Sequence, residues 1–212
     1  VECYEMGRLG CPTEDEFKNR FPFLSTSDYP LVKEYRYKLA VVDANGNDYR
    51  DLPTLASAQA PDWNEAGVVY QSAAGLQLTD DAPEAENRLV SFDYLKPFYR
   101  DPDWQSGGGK IAFQSKEGSH WEIWTVNPDG SELVALTGPE TTLVDELPSN
   151  VAPAWSPDGE QIVFLSNRDD DGSAGAWRLW VMNSDGSRQR PLAFDLEFTY
   201  GFGNEQMVSW GN

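Results

Sequence analysis

Two polar loops carry the side chains best suited to bind a metal ion. They are Asp169, Asp170 and Asp171 in one loop and Asp43, Asn45 and Asn47 in the other. Calcium prefers carboxylate and amide oxygens, and the alternating spacing in the second loop is typical of a calcium site. Neither loop has the glutamate found at the twelfth position of an EF-hand loop. Calcium is therefore one hypothesis for each loop, and a simple polar hairpin is the other.

The chain offers little that could perform catalysis. Its single histidine, His120, lies in a predicted hairpin, and no Gly-x-Ser-x-Gly motif supplies a serine nucleophile. The glycine run at 107–109 lacks the spacing of a phosphate-binding loop. We therefore predict that the protein is not an enzyme and needs no cofactor.

A repeat predicts the elements that position these loops. Trp63, Trp104, Trp155 and Trp210 follow one another at intervals of 41, 51 and 55 residues. Such a period is expected for four-stranded propeller blades with loop insertions. A single blade cannot bury both faces of its sheet, so we expect these tryptophans to pack between neighbouring blades.

Each copy of the repeat combines short β-prone runs with tight turns. Residues 111–113 and 162–164 are rich in Ile, Val and Phe, and are too short for helices. Asp129-Gly130 and Asp185-Gly186 suit hairpins that need positive φ angles, and Asn45-Gly46 matches them. The sequence therefore predicts an all-β protein.

The repeat is not equally clear along the chain. Residues 101–137 and 152–192 are two clear copies, and a third opens at 60–72 but lacks the Asp-Gly hairpin. Half copies lie at 37–52 and 206–212. We expect a β-propeller of about four blades in which the N- and C-terminal strands share a blade. Two alternatives are that these strands complete a blade of a neighbouring molecule, or that the chain is part of a longer propeller.

The copy at 152–192 carries a resemblance to a known family. Its S-P-D-G-x-x-I-x-F-x-S-N-R-D string at 156–169 and W-x-x-W-V-M-N-x-D-G-S string at 177–187 resemble the PD40, or WD40-like, repeat of TolB-type β-propellers. The resemblance covers residues 38–212 and is strongest in 101–192. It implies a periplasmic or extracellular protein whose propeller is a platform for binding other proteins. Since a fold does not fix a function, the role is an expectation.

The resemblance implies an exported protein, and export is relevant to the state of the only two cysteines, Cys3 and Cys11. A small disulfide loop fits an exported protein, and two free or buried thiols are the alternative. Residues 1–35 do not repeat, so we predict an N-terminal arm or clasp there and a propeller at 36–212. The first residues lack the features of a signal peptide, so any export signal is expected to have been removed.

Charge and hydropathy exclude some classes of binding partner. A net charge of −19 opposes binding to nucleic acid or anionic membranes, because both require cationic side chains. No run of 18 apolar residues exists, so we predict no membrane insertion.

Two hypotheses for the function remain. The first is a binding platform with Tyr94, Trp121 and Trp177 as exposed anchors for a protein partner. The second is a structural subunit that assembles with copies of itself into a filament or surface array by exchanging strands or arms.

Overall fold

The structure is a computed structural model. It describes Tyr4–Glu5, Arg8–Leu9, 37–55, 57–72, 74–82, 84–91, 99–140, 142–194, 196, 198–201 and 207–211. The described residues are almost entirely strands and turns, with a single 3-10 turn at Ser106–Gly108. No helix in these ranges is long and apolar enough to cross a membrane.

Three four-stranded antiparallel sheets follow one another along the chain, each with its strands in sequence order. The first blade contains β5 (Gln59–Asn64), β6 (Gly67–Ser72), β7 (Gly75–Thr79) and β8 (Arg88–Ser91). The second contains β9 (Tyr99–Trp104), β10 (Ile111–Glu117), β11 (His120–Val126) and β12 (Val134–Ala135). The third contains β13 (Asn150–Trp155), β14 (Gln161–Arg168), β15 (Ala174–Asn183) and β16 (Arg190–Pro191). The prediction of four-stranded blades is confirmed, and the first blade is complete although its sequence diverges.

A half blade precedes the first blade. It consists of β3 (Ala40–Val41) and β4 (Arg50–Asp51), and a separate pair, β1 (Tyr4–Glu5) and β2 (Arg8–Leu9), lies near the N-terminus. The turn of the half blade closes with a bond from the Gly46 N–H to the Asp43 carbonyl at 2.8 Å. The turns at Gly130 and Gly186 close in the same way. The half blade therefore corresponds to the third and fourth strands of a full blade, as its sequence predicts.

Apolar side chains between successive blades form the core. Between the first and second blades they include Val69, Leu76, Leu78, Ile111 and Phe113. Between the second and third blades they include Ala112, Ile123, Ile162, Phe164 and Met182. Each blade thus buries its faces against its neighbours, which is why the repeat must be stacked to be stable.

The surroundings of the hairpin glycines show how closely neighbouring blades are stacked. A Cβ on Gly130 would lie 2.6 Å from the carbonyl oxygen of Val90 in the first blade, and one on Gly186 would lie 2.8 Å from that of Leu136 in the second. A Cβ on Gly46 would meet nothing within 4 Å. The outer side of the half blade is therefore not covered there by any described residue.

The described residues do not form the shared terminal blade. Residues 207–211 form no strand, and β3 pairs with β4 alone among the described strands. Val208 instead packs with side chains of the third blade such as Val151 and Leu165. Val208 thus lies beside the third blade, and the sharing of a blade between the two ends stays a prediction.

Candidate protein-binding site

The first strand of each blade contains the same irregularity. Ala60, Asp101 and Ala152 have φ angles of 46°, 48° and 51°, and each is followed by a proline. The pairing of each first strand with the second strand of its blade shifts register at this point. Such a bulge bends the strand and redirects the side chains that follow it.

An aspartate after the bulge binds the next blade. Asp62 Oδ2 accepts a hydrogen bond from the backbone N–H of Trp104 at 2.6 Å. Asp103 Oδ2 accepts one from the N–H of Trp155, also at 2.6 Å. At the corresponding position the third blade has Ala154, so it cannot extend this contact. Two equivalent carboxylate bonds therefore connect the first strands of three successive blades.

A glutamine on the second strand makes a parallel set of contacts. Gln71 Oε1 accepts a bond from the N–H of Asp101 at 3.2 Å, and Gln114 Oε1 accepts one from the N–H of Ala152 at 2.7 Å. The third blade has Leu165 at this position. We call the aspartate and glutamine bonds together the interblade latches. They satisfy backbone N–H groups in the first strand of the next blade, which is an edge strand of its sheet.

The aspartates also border a polar cavity of about 300 Å³, to which Ser209 and Trp210 contribute. Burial raises the pKa of Asp103 from 3.8 to about 7. The N–H of Trp155 opposes this rise, and the nearby carboxylate of Asp62 adds to it. Asp103 is therefore a carboxyl group whose charge is costly in the native state.

An apolar crevice of about 230 Å³ lies between the half blade and the first blade. Its walls include Leu39, Val42, Leu52 and Val68, and the ring of Trp63 lies at its border with 53% of its surface exposed. Exposed tryptophans beside apolar pockets are frequent anchors of protein interfaces. This crevice is the best candidate for a binding site in the described residues.

The edge of β3 next to the crevice can accept a further strand. Leu39 and Asp43 direct their backbone groups towards the β4 side, where Leu39 O accepts from Leu52 at 2.9 Å. Because backbone groups alternate along a strand, those of Ala40 and Val42 point the other way. No other described strand pairs with this edge. An apolar crevice and a strand edge with no partner among the described strands, which we call the open edge of β3, thus lie side by side.

Comparison with known proteins identifies the architecture. No protein-family model matches the chain. Among solved structures it is similar to putative TolB from Agrobacterium tumefaciens, with a TM-score of 0.56 and 19% identity over 76% of this chain and 55% of that one. The chain has a TolB-like propeller fold. At this identity the likeness shows the fold alone, and the chain spans about half the length of that TolB structure.

The four tryptophans predicted to pack between the TolB-like blades differ in environment. Trp104 and Trp155 are 5% and 4% exposed, and each packs among side chains of two adjacent blades. Trp63 is 53% exposed, at the border of the apolar crevice. Trp210 is 36% exposed at the polar cavity. Two of the four residues therefore lie within an interblade core and two do not.

The predicted anchors lie elsewhere. Trp121 is only 6% exposed, with the guanidinium of Arg100 over its ring at 5.7 Å, so the expectation of an exposed ring at this position is wrong. The cause is its packing against Val151 of the third blade. Trp177 is half-buried, and Tyr94 lies outside the described residues. A role in partner binding for these three residues stays a prediction.

The predicted calcium loops are closed by their own hydrogen bonds. Asp171 Oδ1 accepts from the N–H of Ser173 at 2.9 Å, and Asn45 Oδ1 accepts from that of Asn47 at 3.0 Å. Asp169 forms an ion pair with Arg178 at 3.1 Å. Within the described part of the chain, no three His, Cys, Asp or Glu side chains are grouped so as to hold a metal ion. Calcium therefore stays a prediction, as does the disulfide, because Cys3 and Cys11 lie outside the described residues.

A buried polar group between the second and third blades was not anticipated. Glu122 is 3% exposed and accepts bonds from the Thr137 hydroxyl and from Asn150 Nδ2, the latter at 2.7 Å. His120 Nε2 lies 3.2 Å from its other oxygen, so the predicted turn residue His120 also contacts a buried carboxylate. Burial raises the pKa of Glu122 to about 7 and lowers that of His120.

Proposed function

We propose that this protein is a non-catalytic, exported propeller protein that binds a protein partner, in the periplasm or outside the cell. The observation that carries the proposal is the crevice bordered by Trp63, beside the open edge of β3. Its TolB-like fold supports a role in protein interaction by analogy only. The low content of positive charge supports a protein rather than a nucleic acid as partner.

The geometry favours an extended segment of the partner. Such a segment can form backbone hydrogen bonds with Ala40 and Val42 while alternate side chains enter the crevice. Apolar side chains suit the crevice, because residues such as Leu39, Leu52 and Val68 form its walls. Trp63 then provides a large apolar contact at the border of the interface.

The test uses a displayed library of random peptides selected on the purified full chain, followed by affinity measurements on the selected peptides. We expect peptides with apolar residues at alternate positions, and a loss of about 30-fold in affinity on Trp63→Ala, the size typical of an interface hot spot. Phe194→Ala is the matched control, since Phe194 is 55% exposed but lies after the third blade. Equal affinities for the Trp63→Ala variant and the parent would contradict the proposal.

The same open edge favours a second candidate function, a structural subunit in which a copy of the chain supplies the strand. A filament or surface array is then expected. Light scattering on the purified chain separates the two functions. A single mass near 23.7 kDa at all concentrations contradicts self-assembly, and concentration-dependent growth that Trp63→Ala abolishes supports it.

A further inference from the structure

Phe198 and Tyr200, in the C-terminal part of the chain, lie in a groove formed by the second and third blades. Phe198 forms a single antiparallel bridge with Trp177, the only bridge or strand pairing of the described C-terminal residues 198–201 and 207–211. The walls of this groove are Trp121, Val151, Leu165 and Trp177, and Phe198 and Tyr200 pack against them. We call these walls the aromatic groove.

Tyr200 is held by both apolar and polar contacts. Its ring centroid lies 5.1 Å from that of Trp177. Its hydroxyl accepts a hydrogen bond from Gln114 Nε2 at 3.0 Å and lies 3.5 Å from Asp101 Oδ2. The groove therefore provides a stacking surface and two polar partners for a phenol.

The aromatic groove is built without the segment that fills it. Trp121 belongs to β11, Val151 and Leu165 belong to paired strands of the third blade, and the latch from Gln114 to Ala152 joins the two blades. The segment adds one bridge and side-chain contacts to this frame. Since Leu165 replaces the latch glutamine, the outward face of the third blade offers apolar surface where the other blades offer a polar group.

We propose that the aromatic groove is a second peptide-binding site, for an extended segment of a partner protein with aromatic residues two positions apart. Phe198 and Tyr200 are its intramolecular occupants and leave when the partner binds. A second copy of this chain is not the expected occupant, because an identical segment has no advantage over one already tethered at an effective concentration of about millimolar. A partner with a better-fitting segment does have that advantage.

The proposal rests on the proposed function and deepens it, but the aromatic groove is a separate site from the crevice bordered by Trp63. The groove lies near the beginning of β13 and β15, whereas Trp63 lies near the end of β5. The two sites can therefore be tested separately. Trp63→Ala is expected to leave binding at the aromatic groove unchanged.

The probe is a fluorescent synthetic peptide with the sequence of residues 196–201, Leu-Glu-Phe-Thr-Tyr-Gly. The double variant Phe198→Ala/Tyr200→Ala empties the groove, so we expect it to bind this peptide about 10- to 100-fold more tightly than the parent does. A peptide with both aromatic residues changed to Ala is the control. Adding Trp177→Ala to the double variant is expected to remove the gain in affinity.

Further measurements keep the proposal open to refutation. Near-ultraviolet circular dichroism shows whether the double variant is folded. If the double variant is not folded, the peptide is tested on Tyr200→Phe instead, which loses only the hydroxyl contacts. A folded variant that binds the peptide no better than the parent would overturn the proposal, since the segment is then a fixed part of the blade. Dimerisation of the parent through exchange of this segment would overturn it as well.

Discussion

Asp103 gives the sharpest test of how the blades are joined. Its pKa of about 7 in the native state, against 3.8 as its ordinary value, means that the native state holds a proton more tightly than the unfolded chain does. Above pH 7 the group is ionised in both states and its burial cost is fully present. Between pH 7 and about 4 only the native group is protonated, so stability rises as the pH falls through this window.

The size of the effect follows from the shift of the pKa. A pKa moved from about 4 to about 7 corresponds to about 4 kcal/mol at most, and partial solvent access reduces this to about 2 to 4 kcal/mol. Asp103→Asn removes the charge and keeps an oxygen that can accept the N–H of Trp155. We therefore expect the variant to be more stable than the parent at pH 8 by about 1 to 3 kcal/mol and to differ little from it at pH 5.

The assay is urea unfolding followed by tryptophan fluorescence at several values between pH 5 and 8. Glu65→Gln is the control, because Glu65 is exposed and its replacement removes one negative charge from the same large excess. Glu122, with a pKa raised to about 7 by burial, contributes in the same direction and keeps some pH dependence in the Asp103→Asn variant. The argument from burial is refuted if Asp103→Asn is no more stable than the parent at pH 8. It is also refuted if Glu65→Gln raises the free energy of unfolding at pH 8 as much as Asp103→Asn does.

Three further predictions concern the turns, the latches and the aromatic groove. Gly130→Ala is expected to cost about 2 kcal/mol more than Gly46→Ala, because both have positive φ angles but only Gly130 contacts a neighbouring blade, and thermal unfolding measures the difference. Gln114→Ala is expected to destabilise the chain by about 1 to 3 kcal/mol in urea, because it leaves a buried N–H of the third blade without an acceptor. The pKa of Tyr200 is raised to about 12, mainly by burial, so absorbance at alkaline pH is expected to include a late-ionising tyrosine whose contribution is lost in Tyr200→Phe. A curve unchanged by Tyr200→Phe would contradict the last prediction.

The sequence was sufficient for the blades because their pattern is local. Turns such as Asp129-Gly130 and the short apolar strands determine each hairpin within a few residues, and the structure confirms them. The latches join residues 30 to 52 positions apart, so no local pattern gives them. A signal was nonetheless present, since Pro-Asp-Trp occurs at 61–63 and 102–104 and becomes Pro-Ala-Trp at 153–155.

The exposure of individual tryptophans could not be read from the repeat. Trp63 and Trp104 occupy equivalent positions, yet one is half exposed and the other is buried. Their difference arises from what lies beside each blade, which depends on the whole arrangement of blades. Likewise the sequence predicts an exposed ring for Trp121, but the third blade packs against it.

Because each interblade latch needs a specific side chain in the preceding blade, the sequence determines the order in which the blades can follow one another. An extra copy of the second blade inserted before the third would receive the carboxylate and amide of its predecessor and would present its own to its successor. The same copy placed after the third blade would meet Ala154 and Leu165, and the two N–H groups of its first strand that the latches bind would lose these acceptors. Blades of this chain are therefore not interchangeable units, and engineering a longer array from them requires aspartate and glutamine to be restored at those two positions.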